Sequence, residues 1–157
     1  MKKVSNNINT IDAPESNYLY IQTSQLPNAG NGLYTVLNLF KHEVISVFKG
    51  EILTYLETMS RLKKNEDKYF INMLNGTIMD SMRTHCFAKY ANDAKGFPFT
   101  TLLNNNAKIS LDDYNRVCLI ATRNIKAGEE IFCSYGKRYW KKHLTKMVNT
   151  QQILNKI

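Results

Sequence analysis

The stretch KAGEEIFCSYGKRYW, from Lys126 to Trp140, carries more information about the fold than any other part of the chain. A plain β-hairpin would need only the turn at Ala127-Gly128, followed by alternating apolar residues. This stretch adds two acids directly after the turn, and it ends in Tyr135-Gly136 with an aromatic pair just beyond. The additional residues indicate a strand that leads into a functional site.

Length and composition indicate one globular domain. A chain of 157 residues can bury an adequate core as one domain, whereas two independent domains would each be marginal. Its 43% hydrophobic and 22% charged residues are typical of a globular protein, which excludes disorder of the whole chain. No apolar run approaches the roughly 18 residues that span a bilayer, and the first ten residues lack the apolar core of a secretory signal. We therefore expect an intracellular protein without a membrane-spanning segment.

The cysteines and the net charge narrow the classes of function. Cys86, Cys118 and Cys133 are too few and too scattered for a disulfide framework, and none forms a CxxC pair, so we interpret them as reduced core thiols. The net charge of +8 favours contact with nucleic acid, or with a ribosomal or chromatin particle that carries it. A solvated basic face explains the charge equally well, because the lysines are spread along the chain.

The residue patterns predict a mainly β fold with a few short helices. Residues 1–17 are polar and rich in asparagine, which is typical of a loose N-terminal arm. Helical spacing predicts a short helix over Thr54–Lys68 and a C-terminal helix over residues 141–157 that caps the domain. Alternating apolar and β-branched residues predict strands within residues 17–24, 33–36, 43–53, 69–74, 77–80, 106–111, 116–122 and 129–136. Gly50 interrupts the strand predicted within residues 43–53.

Four motifs in a fixed order give the chain a resemblance to a known family. They are PNAGNGLYT at residues 27–35, VFKGEI at 47–52, AKYANDAKG at 88–96 and IKAGEEIFCSYG at 125–136. Together they resemble the glycine turn, the YxGE strand, the asparagine segment and the terminal GEE…YG motif of the SET-domain protein lysine methyltransferases. The resemblance implies a SET-domain fold over residues 18–140, with small curved sheets around a knot-like C-terminal segment and a variable insert at about 54–85.

The resemblance also implies S-adenosylmethionine as the cofactor, held in part by the glycine turn. In the family this turn binds the methionine part of the cofactor, which assigns Gly30, Asn31 and Gly32 to that role. Elementary chemistry agrees, because glycines let the backbone approach a ligand closely and present its amides. A hairpin turn that needs positive φ would use the same residues, so the turn alone does not decide between the two interpretations.

The asparagine segment supplies further residues that the resemblance assigns to the cofactor. Lys89 occupies the family's arginine position, Tyr90 its aromatic position, and Asn92 that of the asparagine that binds the cofactor. For Asn92 the alternative is an Asx-turn without any ligand. Asp93 replaces the commoner histidine, and its role stays open at this point.

The tail and the insert complete the predicted cofactor site. Trp140, next to Tyr139, lies where the family often places an aromatic ring against adenine, although plain core packing explains the pair equally well. Tyr69 in the insert is also assigned to the cofactor. No cysteine follows Cys133, so the zinc-binding tail of many family members is absent, and the segment from Tyr139 onward must close the site instead.

Tyr135 is the predicted catalytic residue, and with Phe48 and Cys133 it is predicted to line the channel for the target lysine. In the family the tyrosine hydroxyl, together with backbone carbonyls, orients the target amine. A lysine amine with a pKa of about 10.4 must first lose its proton, which costs about 4 to 5 kcal/mol at pH 7 before any help from the site. Glu129 and Glu130 are better explained as structural partners than as a general base. No histidine or carboxylate cluster indicates a metal site.

The expected function is therefore S-adenosylmethionine-dependent methylation of a lysine ε-amine in a protein, with histones or ribosomal proteins as candidate substrates. Phe48 stands where the family's motif has a tyrosine, so one channel hydroxyl is missing. This leaves open a catalytically weak or inactive SET module that binds peptide, cofactor or chromatin without turnover. A function in nonspecific nucleic-acid binding would rest on the charge alone, and the sequence does not indicate an oligomeric state.

Overall fold

The structure is a computed structural model that describes residues 9–95 and 102–142. Three small antiparallel sheets of three strands each make up most of it, with one α-helix between strands of the third sheet. The prediction of a mainly β fold with few short helices is confirmed. Within the described residues, no helix has both the length and the apolar character needed to cross a membrane.

The first sheet joins the two ends of the domain. It contains β1 (Leu19–Thr23), β2 (Asn31–Thr35) and β9 (Glu130–Ile131), in the order β1-β2-β9. Leu33 of β2 pairs with Ile131 of β9, and both side chains are fully buried. The terminal motif is thereby fixed beside the strand that begins in the glycine turn.

The second sheet supplies much of the core. It contains β3 (Val44–Val47), β7 (Ala107–Leu111) and β8 (Val117–Ala121), in the order β3-β8-β7. Apolar side chains of this sheet pack against the first sheet and exclude water, the main source of stability in a domain of this size. The three cysteines are free and buried, as predicted. The largest members of the core cluster are Tyr18, Leu19, Leu33, Leu39, Ile45, Leu119, Ile125 and Ile131.

The third sheet contains β4 (Glu51–Leu53), which lies just before the predicted insert, and β5 (Phe70–Asn72) and β6 (Ile78–Asp80) within it, in the order β4-β6-β5. The strand predicted over residues 43–53 with an interruption at Gly50 is two strands, β3 and β4, which are separated around Gly50 and pair in different sheets. The predicted hairpin at Asn75-Gly76 is present between β5 and β6.

Helix α1 (Tyr55–Lys63) connects β4 to β5 and is shorter than predicted. Its start is fixed by a capping box, in which Thr54 and Glu57 each accept a hydrogen bond from the other's backbone N–H. Its end is fixed where Asn65 adopts a left-handed conformation at φ 56°, which a helix cannot continue. The predicted extension to Lys68 is for this reason wrong.

Residues 132–133 run between two earlier parts of the chain. Phe132 forms a parallel bridge with Asn92 on one side, and Cys133 forms a parallel bridge with Ala107 on the other. This crossing is the knot-like C-terminal segment that the resemblance predicted. Residues 137–142 are then helical, and the remainder of the predicted C-terminal helix, residues 143–157, lies outside the described residues.

Part of the predicted N-terminal arm is attached to the domain. Thr10 forms a bridge with Val44, and the Glu15 carboxylate accepts hydrogen bonds from the Val47 amide and the Ser46 hydroxyl at 2.9 and 3.0 Å. These contacts lie along β3, so residues 9–17 do not form a loose arm. Residues 1–8 lie outside the described part of the chain.

Candidate active site

A cavity of about 920 Å³ opens between the loop that precedes β2, the start of β5, the 3-10 turn at Ala88–Tyr90 and residues 133–140. This volume lies in the range of cofactor and small-molecule sites. The crossing at residues 132–133 brings these four distant segments together. Of the residues predicted for the site, the cavity is lined by Gly30, Asn31, Phe48, Tyr69, Lys89, Tyr90, Asn92, Cys133, Tyr135 and Trp140.

The Tyr135 side chain has a defined hydrogen bond at the wall of the cavity. Its hydroxyl donates to the Ala91 carbonyl oxygen at 2.8 Å. Burial raises the pKa of Tyr135 well above its ordinary value, so the phenol stays protonated at neutral pH. With its proton committed to Ala91, the oxygen keeps lone pairs that can accept a hydrogen bond from a ligand.

Asp93, whose role the sequence left open, binds the main chain of Tyr135. One oxygen of its buried carboxylate, Oδ2, accepts hydrogen bonds from the Tyr135 backbone N–H and from the indole N–H of Trp140, both at 2.9 Å. The other, Oδ1, accepts from the Lys95 backbone N–H and the Asn105 side chain, both at 3.0 Å. The Lys95 contact is an Asx-turn, built by Asp93 and not by Asn92.

Three aromatic rings of the C-terminal segment form one wall. The Trp140 ring lies nearly parallel to the Tyr135 ring, with centroids 5.9 Å apart and an angle of 13°. The Tyr139 ring meets both edge-on, at 4.9 Å from Tyr135 and 5.2 Å from Trp140. All three side chains line the cavity, so the pair beyond the terminal motif contributes to the site as well as to packing.

Asn92 connects the glycine turn to the crossing. Its side-chain N–H donates to the Asn31 carbonyl at 2.9 Å, and its own carbonyl accepts from the Cys133 N–H at 2.8 Å. Gly30 has a φ of 71°, a left-handed conformation that glycine adopts at little cost. The turn therefore has the conformation of a hairpin loop and also lines the cavity.

Gly32 has a different position from the one predicted. It lies within β2 and is not among the residues that line the cavity. A Cβ atom there would come within 2.1 Å of the Glu130 Oε1 atom, so only glycine leaves room for that carboxylate. Glu130 accepts hydrogen bonds from the Ser24 hydroxyl, the Gln25 N–H and the Tyr34 hydroxyl, which agrees with its predicted structural role.

The Lys89 ammonium is already engaged by the protein. It donates to the carbonyl oxygens of Ser81, Met82 and Thr84 at 3.0 to 3.3 Å, and it lies over the rings of Tyr69 and Tyr90 at 5.5 and 5.4 Å from their centroids. These contacts tie the loop after β6 to the 3-10 turn. Lys89 therefore lines the cavity mainly as a residue that connects the loop after β6 to the 3-10 turn.

The predicted lysine channel combines apolar and weakly polar groups. Phe48 is half-buried and packs against the core cluster. Cys133 is 1% exposed, and burial raises the pKa of its thiol to about 12, so it remains uncharged. Ser81, which the sequence did not single out, also borders the cavity, and its buried hydroxyl has no hydrogen-bond partner among the described residues.

Comparisons with known proteins identify the family and the fold. The sequence model of the SET domain matches residues 30–136. No curated protein sequence matches the chain. Among solved structures, the chain is similar to a humanized mutant of the Chaetomium thermophilum Polycomb Repressive Complex 2 bound to the inhibitor GSK126, with a TM-score of 0.61 and 23% identity. The match covers 75% of this chain but only 15% of that one, so the likeness shows a shared fold.

Proposed function

Because the chain belongs to the SET-domain family, we propose that it transfers a methyl group from S-adenosylmethionine to the ε-amine of a lysine in a protein substrate. The observation that carries this proposal is the position of the Tyr135 hydroxyl. It is buried, protonated and bonded to Ala91 in a cavity that the glycine turn and Asn92 also reach.

The lining of the cavity fits this cofactor. The main chain of Gly30 and Asn31 and the amide of Asn92 would hold its amino-acid part, and the faces of Tyr90 and Trp140 would lie against its cationic and aromatic groups. When bound, S-adenosylmethionine supplies a methyl group on a good leaving group. The protein is then required mainly to bind, to orient and to exclude water.

The target lysine has to react as the neutral amine. Phe48, Tyr90 and Trp140 line the cavity with apolar surface, which disfavours the ammonium form. Tyr135 cannot take the proton, because its phenol keeps its own. Its oxygen can accept one N–H of the neutral amine, and this hydrogen bond directs the nitrogen lone pair toward the methyl group. The proton released by the ammonium passes to solvent before the amine enters the site.

A second candidate is a SET module that binds peptide or cofactor without turnover. It is favoured by Phe48, which brings no hydroxyl to the channel, and by Lys89, whose ammonium is engaged by three carbonyls. The engaged hydroxyl of Tyr135 favours the enzyme over this module.

The substrate that fits the charge best is a protein associated with nucleic acid inside the cell, such as a histone or a ribosomal protein. A net charge of +8 would hold the enzyme near an anionic particle, although it repels a free basic tail. Contact with nucleic acid would in this case be nonspecific and would serve docking.

Transfer of radiolabelled methyl from S-adenosylmethionine into histones, ribosomal proteins and a cell lysate tests the proposal, with mass spectrometry to identify the modified residue. Calorimetry of S-adenosylmethionine binding belongs beside it, with Asn92→Ala expected to weaken binding by about 1 to 3 kcal/mol. Binding without any transfer would favour the second candidate. A folded protein that does not bind the cofactor would refute methyl transfer and leave only the peptide-binding form of the second candidate.

A further inference from the structure

We propose that Asp93 is a positioning residue that fastens the aromatic C-terminal segment against the cavity. Through one carboxylate oxygen it holds the Tyr135 backbone and the Trp140 indole at a fixed separation. The structural part of this inference does not depend on methyl transfer, whereas its consequence for cofactor binding rests on the proposed function.

The contacts of Oδ2 define the fastening. Its two donors, the Tyr135 N–H and the Trp140 indole N–H, both belong to the segment after residue 134, and each lies 2.9 Å away. A hydrogen bond from an N–H to a carboxylate is stronger than one to a neutral acceptor. Because both donors share one oxygen, this contact holds the Trp140 indole beside the Tyr135 main chain, and the two rings lie nearly parallel, with centroids 5.9 Å apart.

The contacts of Oδ1 keep Asp93 itself in place. This oxygen accepts from the Lys95 backbone and from the Asn105 side chain, and the Asn105 side-chain oxygen in turn accepts from the Ala94 N–H at 2.9 Å. Oδ1 is therefore fixed by neighbouring residues, whereas Oδ2 binds the segment that Asp93 positions. Asp93 is 7% exposed, so water has little access to replace a lost hydrogen bond.

The chemistry of this position requires an acid. Four N–H donors face the two oxygens of Asp93, and a carboxylate can accept all four. An asparagine would turn its own NH₂ toward one pair of donors, which breaks two hydrogen bonds whichever way the amide is oriented. An ion pair between Lys142 and Asp67 also attaches this segment to the domain. Because the lysine is half-exposed, the pair contributes little to stability.

Trp140 allows a direct test, because it is the only tryptophan of the chain. In the unmodified protein its indole N–H should appear as one NMR signal whose hydrogen exchange is slowed at least about a hundredfold relative to free indole, as expected for a hydrogen bond that opens rarely. Exchange at the rate of free indole would overturn the inference, and this outcome needs no variant that must fold.

The matched substitutions are Asp93→Asn and, as a control of equal charge change, Asp113→Asn in the exposed turn between β7 and β8. Asp93→Asn should increase acrylamide quenching of Trp140 about twofold, and it should weaken S-adenosylmethionine binding about tenfold, because the amide breaks two of the four hydrogen bonds that the carboxylate accepts. Asp113→Asn should change neither. An asparagine could keep its oxygen toward Tyr135 and Trp140, so Asp93→Ala, which removes both oxygens, is the decisive variant: unchanged quenching in a folded Asp93→Ala protein would refute the fastening. Quenching is measured on the protein alone, so its failure is distinguishable from a failure of methyl transfer.

Discussion

The Ala91 carbonyl is the residue-scale centre of the candidate site. It accepts a hydrogen bond from the Tyr135 hydroxyl, and the Cys133 sulfur lies 3.9 Å from the same oxygen. Burial keeps both side chains protonated, because it raises the pKa of each. Under the proposed function, the reacting amine would meet neutral groups, and its orientation would depend on the position of the Tyr135 hydroxyl oxygen.

Replacement of Tyr135 by phenylalanine deletes this oxygen and keeps the ring. We expect turnover to fall at least about tenfold, which corresponds to about 1.4 kcal/mol of lost barrier lowering, while the affinity for S-adenosylmethionine stays unchanged. Steady-state rates and calorimetry would measure the two effects. Tyr114→Phe is the matched control, since that side chain is 68% exposed. A wild-type rate in Tyr135→Phe would remove Tyr135 from the reaction.

A second prediction concerns the number of methyl groups added to the lysine, and it rests on Phe48. Without a hydroxyl at this position the channel leaves space for an amine that already carries a methyl group, so the wild-type protein should proceed beyond monomethyllysine. Phe48→Tyr introduces a buried hydroxyl that needs a partner, either a water or the amine, and should shift the product toward the monomethyl form. Mass spectrometry of one substrate lysine at exhaustive reaction decides this, with the exposed Phe40→Tyr as control. Exclusively monomethyl product from the wild type would contradict it.

The buried thiol and phenols predict how stability depends on pH. Burial raises the pKa of Cys133 to about 12, and burial together with Glu130 raises that of Tyr34 to about 12. Both groups ionise in the unfolded chain near pH 9 to 10 while they stay neutral in the folded protein. The unfolded state therefore releases protons at a lower pH than the folded state does. The free energy of unfolding should be unaffected by these two groups below pH 9 and should decrease as the pH rises toward 12.

Urea midpoints between pH 7.5 and 10.5 would measure this decrease. Cys133→Ala, which cannot ionise, should show a smaller decrease than the wild-type protein. Equal slopes for both would show that the thiol takes no part.

The limits of sequence analysis are clearest for single residues. Asn92 and Tyr135 could be placed in the site because their roles are attached to short motifs. Asp93 could not, because its partners Asn105 and Trp140 lie 12 and 47 positions away and become donors only after folding. Ser81 gave no signal at all, since an unpartnered hydroxyl is a property of its surroundings.

At the scale of the elements, ion pairs and the N-terminal capping box stabilise α1 more than the burial of its side chains does. None of its residues is buried. Arg61 instead binds the Asp80 carboxylate, which is fully buried in β6, and the exposed Glu51 carboxylate in β4. One arginine therefore connects the helix to two strands of the third sheet.

Removal of this arginine should be costly because Asp80 would stay buried without its cation. Arg61→Ala is expected to lower the free energy of unfolding by about 3 kcal/mol. Urea denaturation would measure the loss, with Glu51→Ala as a control expected to cost less than about 1 kcal/mol. A loss below about 1 kcal/mol in Arg61→Ala would show that the remaining partners of Asp80, such as the Met82 N–H, are sufficient to keep it buried.

The elements themselves were largely predictable, because alternation and turn residues are local signals. The errors occur where a distant contact intervenes. Gly50 signalled an interruption in the run over residues 43–53, but not that β3 would pair with β8 and β4 with β6 in different sheets. Glu15 reads as part of a polar arm, but its carboxylate caps the backbone of β3.

At the scale of the whole molecule, the net charge of +8 predicts how the enzyme would find its substrate. Like charges slow its encounter with a free basic protein, whereas an anionic particle attracts it. If the substrate belongs to chromatin or the ribosome, methylation should be faster on the assembled particle than on the isolated protein, and the advantage should decrease steeply with salt. Initial rates on both substrates between 50 and 200 mM salt, a range over which such contacts weaken strongly, would test this. Equal, salt-insensitive rates would exclude docking by the basic surface.

The crossing at residues 132–133 also determines the order in which parts of the domain can fold. Tyr34 and Glu130, which meet in the first sheet, are 96 positions apart, so this contact closes a long loop and forms slowly. During synthesis the second sheet can assemble as soon as β8 has emerged, but the cavity has no Tyr135 until the last part of the domain leaves the ribosome. Under the proposed function, competence for methyl transfer would arise in one late step, and a nascent chain interrupted before Glu130 would be inert.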